Sequence, residues 1–444
     1  MLYGKATPRV AALNVVTYFG ATPYGQKRLP RFYVTSKDLR RFDPQPESCT
    51  NLSMKPIYLD YNATTPVDPA VLEEMLPYLR EHFGNPSSAH GYGETAHGAV
   101  DRAREQVAAL LGAEPEEIVF TGGGSEASNH AIKGVVFAKL GRLVGGAPPD
   151  LHIVTSAVEH LATLQPCDFL KRLGCRVTIL PVDKYGIVDP DSVRKAIEPD
   201  TALITIMHAN NEVGTIQPIR EIAAVARERG VVMHTDAAQT VGKLPVDVNE
   251  LDVDLLTVAG HKVYAPKGVG ALYIRSGTKV EPLIHGAGHE SGRRAGTENV
   301  PYVVALGKAC EIARRMLPRT IVHLAELRDC FWERLRRSWG DEIILNGHPE
   351  KRLPNTLHVN FLDWIGAELL EAAPEIAAST GAACHDGSVG LSPVLHAMGV
   401  SAQVGRGAVR FSVGRFTTQE EIDRAAEAIN RMSPARQSAK LSVS

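Results

Sequence analysis

Residues able to do chemistry stand directly after several short apolar runs of the sequence. Asp236 and Gln239 follow VVMHT, while His261 and Lys262 follow LLTVAG, the next apolar run along the chain. In an open parallel sheet the carboxyl ends of the strands meet at one edge, so these polar groups are expected to share one pocket. Taken alone, Asp236 and Lys262 are also compatible with a purely structural ion pair.

A glycine-rich turn precedes them in the segment FTGGGSEASNHAIKG, where Gly124, Ser125 and Glu126 open a helix. Glycines let the backbone approach an anion closely, and a helix N-terminus offers free N–H groups and a favourable dipole. The segment therefore predicts a phosphate site, with an ordinary turn as the alternative. It lacks the G-x-x-x-x-G-K-[ST] and G-x-G-x-x-G patterns, which argues against a nucleotide.

Together these groups match the needs of pyridoxal 5'-phosphate (PLP). That cofactor requires a Schiff-base lysine, a carboxylate for the ring nitrogen and an anion site for its phosphate. His160 follows a further apolar run, in TSAVEHLAT, and is either a residue that starts a helix or a ring that stacks on the cofactor. The combination predicts PLP as the cofactor.

Cys384 lies in the segment STGAACHDGSVGLSP, among small, turn-forming residues. Structural cysteines usually pack among bulky apolar side chains, whereas reactive thiols are accessible and have room to reach a partner. The surroundings of Cys384 favour a reactive thiol on a mobile loop, and an exposed cysteine without a role is the alternative. The neighbouring His385 either lowers the pKa of this thiol or is merely solvated.

The elements that would position these residues alternate along the chain. EIVFT, LHIVTS, CRVTILPV, ALITIM, VVMHTDA and LLTVAG are typical of buried strands, and IREIAAVARERG has the apolar spacing of a helix. This alternation predicts an α/β fold with a mostly parallel central sheet flanked by helices.

The pattern changes near Pro318, where a charged helix, IVHLAELRDCFWERLRRSW, leads into an α+β profile. We expect a large cofactor-binding domain at 70–317 and a smaller α+β domain made of 54–69 and 318–435, followed by a tail at 436–444. Residues 1–53 are Arg-rich and acid-poor, which indicates a disordered extension, a start codon assigned upstream of Met54, or a transit peptide.

The composition narrows the class of protein further. A net charge of -2 gives no basic field for nucleic acid, and we expect no membrane partner because no apolar run is long enough to span a bilayer. The 6 cysteines show no paired spacing, which favours the cytoplasm. No H-E-x-x-H or C-x-x-C pattern supports a metal hydrolase, and no metal site is predicted.

From about Ile57 to Ile429 the chain resembles the PLP-dependent cysteine desulfurases, whose close relatives are the selenocysteine lyases. The similar motifs, in the same order, are LDYNATTP, GNPSS, GGGSEASNHAIKG, EH at 159 and 160, NNEVG, HTDAAQ, GHKVYAPKGVGALYI, RRAGTEN and RFSVGRFTT.

The resemblance implies PLP fold type I, a homodimer, and a role for each matching residue. Lys262 would bind PLP covalently, Asp236 would pair with the ring nitrogen, Gln239 and Asn211 would bind the ring oxygen, and His160 would stack on the ring and take part in catalysis. The phosphate site would comprise Gly124, Ser125, Glu126, His261 and, from the partner subunit, Thr297. The substrate would be bound by Asn62, Asn211 and Arg410.

The resemblance also implies the reaction. Cys384 would take sulfur from L-cysteine as a persulfide and leave L-alanine, and the sulfur would pass to an iron–sulfur scaffold, a tRNA-thiolation relay or a selenophosphate pathway. Two alternatives stay open: a selenocysteine lyase acting on L-selenocysteine, and a catalytically silent sulfur-assembly scaffold. An ordinary aminotransferase would have no use for Cys384.

Three features depart from the desulfurase pattern. Ala259 stands where a phosphate-binding serine is usual, and Ser125 stands where threonine is common. The GAACH motif, the longer loop that follows it and the downstream SPVL are similar to the animal-type selenocysteine lyases. The lyase alternative depends on this third departure.

Overall fold

A computed structural model of the protein describes residues 55–140, 150–380 and 391–433. The predicted extension at 1–53, the tail at 436–444, and Cys384 with His385 lie outside these described residues. Among the described helices, none is both long and apolar enough to cross a bilayer.

Every apolar run forms a described strand, but the burial predicted for CRVTILPV is wrong, because its strand lies at the edge of the central sheet with Ile179 exposed. The bounds of the strands are β1 Ile57–Tyr58, β2 Ile118–Thr121, β3 His152–Ser156, β4 Arg176–Leu180, β5 Thr201–Thr205, β6 Val232–Asp236, β7 Leu255–Ala259, β8 Gly270–Ile274, β9 Ile343–Leu345, β10 Thr356–Phe361, β11 Ile376–Ala377 and β12 Ala408–Ser412.

Seven strands form the central sheet, in the order β2-β8-β7-β6-β5-β3-β4. The pairings from β4 to β7 are parallel, and β8 pairs antiparallel with both β7 and β2. The strand β8 therefore runs opposite to the other six. The predicted α/β fold with a mostly parallel central sheet is confirmed.

The helices occupy the intervals between the strands. Their bounds are α1 Pro69–Arg80, α2 Gly91–Leu111, α3 Gly124–Leu140, α4 Leu161–Arg172, α5 Pro190–Ala196, α6 Ile219–Glu228, α7 Val248–Leu251, α8 Val300–Trp339, α9 Gly366–Glu371, α10 Pro393–Ala397, α11 Ala402–Gly405 and α12 Gln419–Asn430. Helix α6 matches the periodic segment IREIAAVARERG, whose buried side chains lie on one face.

Two smaller sheets accompany the central one. An antiparallel sheet has the order β12-β10-β9, and the short strand β1 pairs parallel with β11. Through β1, the segment after residue 55 joins elements that lie more than 300 positions later in the sequence.

Helix α8 is longer than the charged pattern predicts, because it begins at Val300 and continues through Pro318. Its first half packs in the hydrophobic cluster around the central sheet, with Leu306 and Ala309 fully buried. Its second half packs in a separate cluster with β10, β12 and α12, through Phe331 and Leu335. Burial on both sides of the exposed Pro318 stabilises one continuous helix despite the hydrogen bond that proline removes.

Membership of these two clusters follows the predicted division of the chain. The first cluster holds residues from Val71 to Ala313, and the second holds Ile57 and Leu59 together with residues from Leu324 to Ile429. The division into a large and a small domain stays a prediction.

Candidate active site

A cavity of about 540 Å³ opens at the carboxyl ends of the parallel strands. Nine of the residues predicted from the sequence line it: Gly124, Ser125, Glu126, His160, Asn211, Asp236, Gln239, His261 and Lys262. The fold therefore brings together polar groups that follow β2, β3, β5, β6 and β7. This is the edge at which ligands of open α/β sheets bind.

The glycine turn, residues 122–124, joins β2 to α3. A Cβ on Gly124 would lie 3.0 Å from the Cβ of Ala259, and one on Gly270 would lie 2.8 Å from the carbonyl carbon of Gly123. Glycine at both positions lets the turn lie close to β7 and β8. The first N–H groups of α3, which have no partner within the helix, then face an anion site with a favourable dipole.

Glu126 lines the cavity but directs its carboxylate to protein groups. It accepts a hydrogen bond of 2.8 Å from the backbone N–H of Gly122 and forms an ion pair of 2.9 Å with Arg294. The guanidinium compensates the negative charge, which would otherwise repel a phosphate. Glu126 thus holds the glycine turn in shape, and its predicted contact with the cofactor stays a prediction.

Lys262 and Asp236 form the charged centre of the cavity. Lys262 lies in a short 3₁₀ turn after β7, and burial lowers the pKa of its amine to about 8, against an opposing effect of Asp236. Asp236 ends β6, is only 8% exposed and accepts a hydrogen bond of 2.9 Å from the N–H of Ala238. An amine with this pKa is partly neutral near pH 8 and able to act as a nucleophile.

His160 both starts helix α4 and faces the cavity, so the two alternatives for this residue are compatible. Its Nδ1 accepts a hydrogen bond of 3.1 Å from the N–H of Ala162. Desolvation lowers the pKa of His160, while Asp236 acts to raise it and Lys262 acts to lower it. With Nδ1 serving as an acceptor, the proton of the neutral ring is on Nε2.

Gln239 lines the cavity with both ends of its amide held. Nε2 donates to the backbone oxygen of Asn62 at 3.0 Å, and Oε1 accepts from Nζ of Lys243 at 3.1 Å. The side chain of Asn62 is fully hydrogen-bonded: its Nδ2 donates to Thr356 and to the backbone oxygen of Asn211, and its Oδ1 accepts from Asn355.

Asn62 is itself 1% exposed and does not line the cavity. It is hydrogen-bonded to both Gln239 and Asn211, which do line the cavity. The predicted contact of Asn62 with the substrate stays a prediction.

Arg410, on β12, contacts the backbone of Asn211 but does not itself line the cavity, so its predicted contact with the substrate stays a prediction. One Nη donates to the backbone oxygen of Asn211 at 2.8 Å, and the other donates to Oδ1 of Asp60 at 2.7 Å. Nε of Arg410 is buried and has no hydrogen-bond partner among the described residues. A buried guanidinium with an unused donor is suited to a planar carboxylate ligand.

His261 precedes Lys262 in the turn after β7. Its Nδ1 is 3.1 Å from Oγ1 of Thr64, and its backbone oxygen accepts from Thr65 at 2.9 Å. Burial and the neighbouring Lys262 lower the pKa of His261 to about 4. The ring is neutral at pH 7 and can bind a phosphate only through a hydrogen bond.

Two predicted residues remain, of which only Thr297 lies within the described part of the chain. Thr297 is exposed on the segment before α8 and does not line the cavity, so its predicted role for the partner subunit stays a prediction. Cys384 lies outside the described residues. Ala259 does line the cavity, and with no hydroxyl it leaves one hydrogen bond fewer for an anion there.

The sequence reasoning missed three charged residues around the site. Asp60 accepts a hydrogen bond from Arg410, and Lys243 donates one to Gln239. The buried Glu159 accepts the backbone N–H of Met207 between its two carboxylate oxygens and a hydrogen bond from Ser156. Burial raises the pKa of Glu159 to about 8. Each stands inside or beside a motif named above, LDYNATTP, HTDAAQ and the EH pair, which is the signal that could have found them.

The residues present fit PLP. The glycine turn lies so close to β7 that a Cβ on Gly124 would crowd Ala259, Lys262 is an amine with a depressed pKa, and Asp236 is a buried carboxylate that acts on it electrostatically. Gln239 and Asn211 add amides to the same cavity. Fold and site together define a PLP-dependent enzyme of fold type I.

Comparison with known proteins supports the same class of enzyme. Residues 57–425 match the class-V aminotransferase family. The chain is 47% identical over 378 residues to the cysteine desulfurase IscS of Dictyoglomus turgidum, covering 85% of this chain and 94% of that protein. It is 43% identical over 373 residues to the cysteine desulfurase of Homo sapiens, covering 83% and 80%.

Solved structures show the same relationship. A NifS-like protein superposes with a TM-score of 0.78 at 38% identity, covering 85% of this chain and 99% of that one. A structure described as SspA in complex with cysteine gives a TM-score of 0.71 at 39% identity, covering 81% and 99%. The chain belongs to the class-V aminotransferase family and, within it, to the PLP-dependent cysteine desulfurases.

Proposed function

We propose that the protein removes sulfur from L-cysteine, leaving L-alanine and a persulfide on Cys384. The observation that carries this proposal is the convergence of Lys262, Asp236, His160 and the glycine turn on one cavity, in a chain of the desulfurase family.

PLP would be held by residues with separate tasks. Lys262 would bind it covalently, Asp236 would pair with the ring nitrogen, and Gln239 and Asn211 would bind the ring oxygen. The glycine turn, Ser125 and His261 would bind the phosphate. When bound, PLP supplies an electron sink for the α-carbon of the substrate.

The side chains of the cavity then hold and move protons. Lys262 has a pKa of about 8, so its amine can take up and return a proton near neutral pH. Nε2 of His160 carries the only proton of the neutral ring, because Nδ1 accepts from Ala162. Arg410 would bind the substrate carboxylate with the donors that Asp60 and Asn211 leave unused.

Cys384 would complete the reaction. Its thiolate forms an S–S bond with the sulfur of the substrate as the C–S bond breaks, and the electron pair of that bond stays with the carbon, which is protonated to give alanine. The persulfide on Cys384 then carries the sulfur to an acceptor.

Turnover of L-cysteine by the purified protein tests this function. With a reducing thiol present, we expect alanine and sulfide in equal amounts, and neither from the Lys262→Ala variant. Cys384→Ser should keep the yellow absorbance of bound PLP but lose sulfide release, whereas Cys330→Ser, at a half-exposed thiol elsewhere, should behave like the wild type.

Three outcomes would overturn the proposal. A colourless wild-type protein that takes up no added PLP would favour the silent scaffold. Transfer of the amino group to a keto acid without sulfide would favour an aminotransferase. A strong preference for selenocysteine that survives Cys384→Ala would favour the selenocysteine lyase, and competing turnover of the two amino acids measures that preference.

We also propose that the protein works as a homodimer in the cytoplasm, with Thr297 of each subunit completing the site of the other. Thr297 is exposed in the single chain, which supports a contact with the site of a second subunit. The four described cysteines are unpaired, which supports a reducing compartment.

A further inference from the structure

Lys243 is a buried lysine beside the cavity that no step of the proposed reaction uses. It is 6% exposed and lies in the turn after β6, where its N–H donates to the backbone oxygen of Thr240 at 2.9 Å. Gly242, at a φ of 76°, makes this turn, and a Cβ there would lie 2.8 Å from Cγ2 of Val263. This turn reverses the chain direction, so the side chain of Lys243 lies next to Gln239.

The ammonium of Lys243 contacts Gln239 and no acid. Nζ donates to the backbone oxygen of Gln239 at 3.2 Å and to Oε1 at 3.1 Å. Among the described residues, no carboxylate lies within ion-pair distance of Nζ. Burying an amine without an acid is unfavourable, and a methionine would fill the same space without that cost.

The contact determines which way the amide of Gln239 faces. Because Oε1 accepts from Lys243, the amino group is the end that donates to Asn62 and retains a second N–H. Turning the amide over would place its NH₂ group against the ammonium, donor against donor. Lys243 therefore holds Gln239 as a hydrogen-bond donor.

The other charged groups that act on Lys243 are positive. Burial, together with the positive charges of Lys262 and Arg410, lowers the pKa of Lys243 to about 7. Lys243 in turn contributes to the low pKa of His261. Beyond these residues, Asp236 acts electrostatically on Lys262, and Asp60 accepts a hydrogen bond from Arg410.

We propose that Lys243 is a positioning residue for the ring oxygen of PLP: it orients Gln239 as a donor to that oxygen and, when protonated, places a positive charge behind it. This inference rests on the proposed function, in which Gln239 binds the ring oxygen. A donor and a positive charge at the ring oxygen stabilise its negative charge. They therefore lower the pKa of the proton that this oxygen shares with the nitrogen of Lys262.

A pH titration of the holoenzyme tests the inference, with the visible absorbance of bound PLP as the readout. In Lys243→Met the midpoint of this titration should rise by about one pH unit, and PLP should bind more weakly. Thr240→Val is the matched control, because it removes a hydrogen bond of the same turn without touching the amide of Gln239, and its midpoint should equal that of the wild type.

A double variant separates positioning from a general effect on the site. In a Gln239→Leu background, Lys243→Met should raise the midpoint by less than it does alone, since the amide it orients is gone. An equal rise in both backgrounds would overturn the positioning role. Where Lys243→Met does not fold by circular dichroism, Lys243→Gln replaces it in both backgrounds.

The possible results separate failure of this inference from failure of the proposed function. An unchanged midpoint in Lys243→Met, with PLP bound, would overturn the inference alone. A wild-type protein that binds no PLP would overturn the proposed function and the inference with it.

Discussion

Asp60 shows how a residue outside the cavity can control substrate binding. It holds one Nη of Arg410 at 2.7 Å, although the two residues are 350 positions apart. In Asp60→Ala we expect the KM for L-cysteine to rise about tenfold with a smaller change in kcat, because a charge-assisted hydrogen bond that orients the carboxylate site is lost.

Asp60→Asn, which keeps one acceptor oxygen, should recover part of this loss in steady-state kinetics. Glu375→Gln is the control, since it removes the surface ion pair with Arg431 and should leave KM unchanged. Equal KM values for Asp60→Ala and the wild type would contradict the role of Asp60.

The pKa of Lys262 predicts how fast the apoenzyme takes up PLP. Only the neutral amine attacks the aldehyde, so the rate should rise with pH through a midpoint near 8 and level off above it. An amine with the ordinary pKa of about 10.4 would give a rate that still rises beyond pH 9.

Absorbance after mixing apoenzyme with PLP across this pH range gives the rate directly. Lys262→Ala should show no covalent uptake at any pH. A rate that keeps rising in parallel with that of a free lysine derivative would show that the site does not depress this pKa.

At the scale of elements, the glycine turn depends on how closely it can lie against β7 and β8. In Gly270→Ala the added Cβ would lie 2.6 Å from the backbone oxygen of Val258 as well as close to Gly123. Both neighbours are backbone, so we expect a loss of about 1–3 kcal/mol in the free energy of unfolding and weaker PLP binding.

Chemical denaturation and titration with PLP measure the two effects. Gly98→Ala, in the middle of α2 with only the end of Arg102 nearby, is the control and should be neutral or stabilising. If Gly270→Ala binds PLP as tightly as Gly98→Ala does, the close packing of the turn is not required for the cofactor.

At the scale of the whole molecule, hybrid dimers test whether Thr297 acts across subunits. Lys262→Ala lacks the covalent site and Thr297→Val should bind PLP weakly, so each variant is defective alone. In a hybrid of the two, one site combines an intact Lys262 with Thr297 of the partner subunit. Tight PLP binding should return at that site.

Differently tagged subunits, mixed and then purified through both tags, provide the hybrid for a PLP titration. Mixed wild-type and Lys262→Ala subunits serve as the positive control. If the hybrid binds no better than the Thr297→Val homodimer, Thr297 acts within its own subunit or not at all.

The sequence by itself determined the alternation of strands and helices along the chain and the residues that follow the strands. Strand patterns are local, and the carboxyl ends of parallel strands meet at one edge, so Asp236, Lys262 and His160 could be placed in one cavity without coordinates. Helix α8 was predicted in part, because the charged pattern after Pro318 is local too.

Only the tertiary structure decided the contacts between distant segments. Asn62 lies behind Gln239 because its side chain is hydrogen-bonded to Asn355 and Thr356, almost 300 positions later in the sequence. The pairing of Arg410 with Asp60 and the passage of α8 through Pro318 likewise depend on packing between segments. Propensity and spacing describe neighbours in sequence, whereas these contacts form only after the chain has folded.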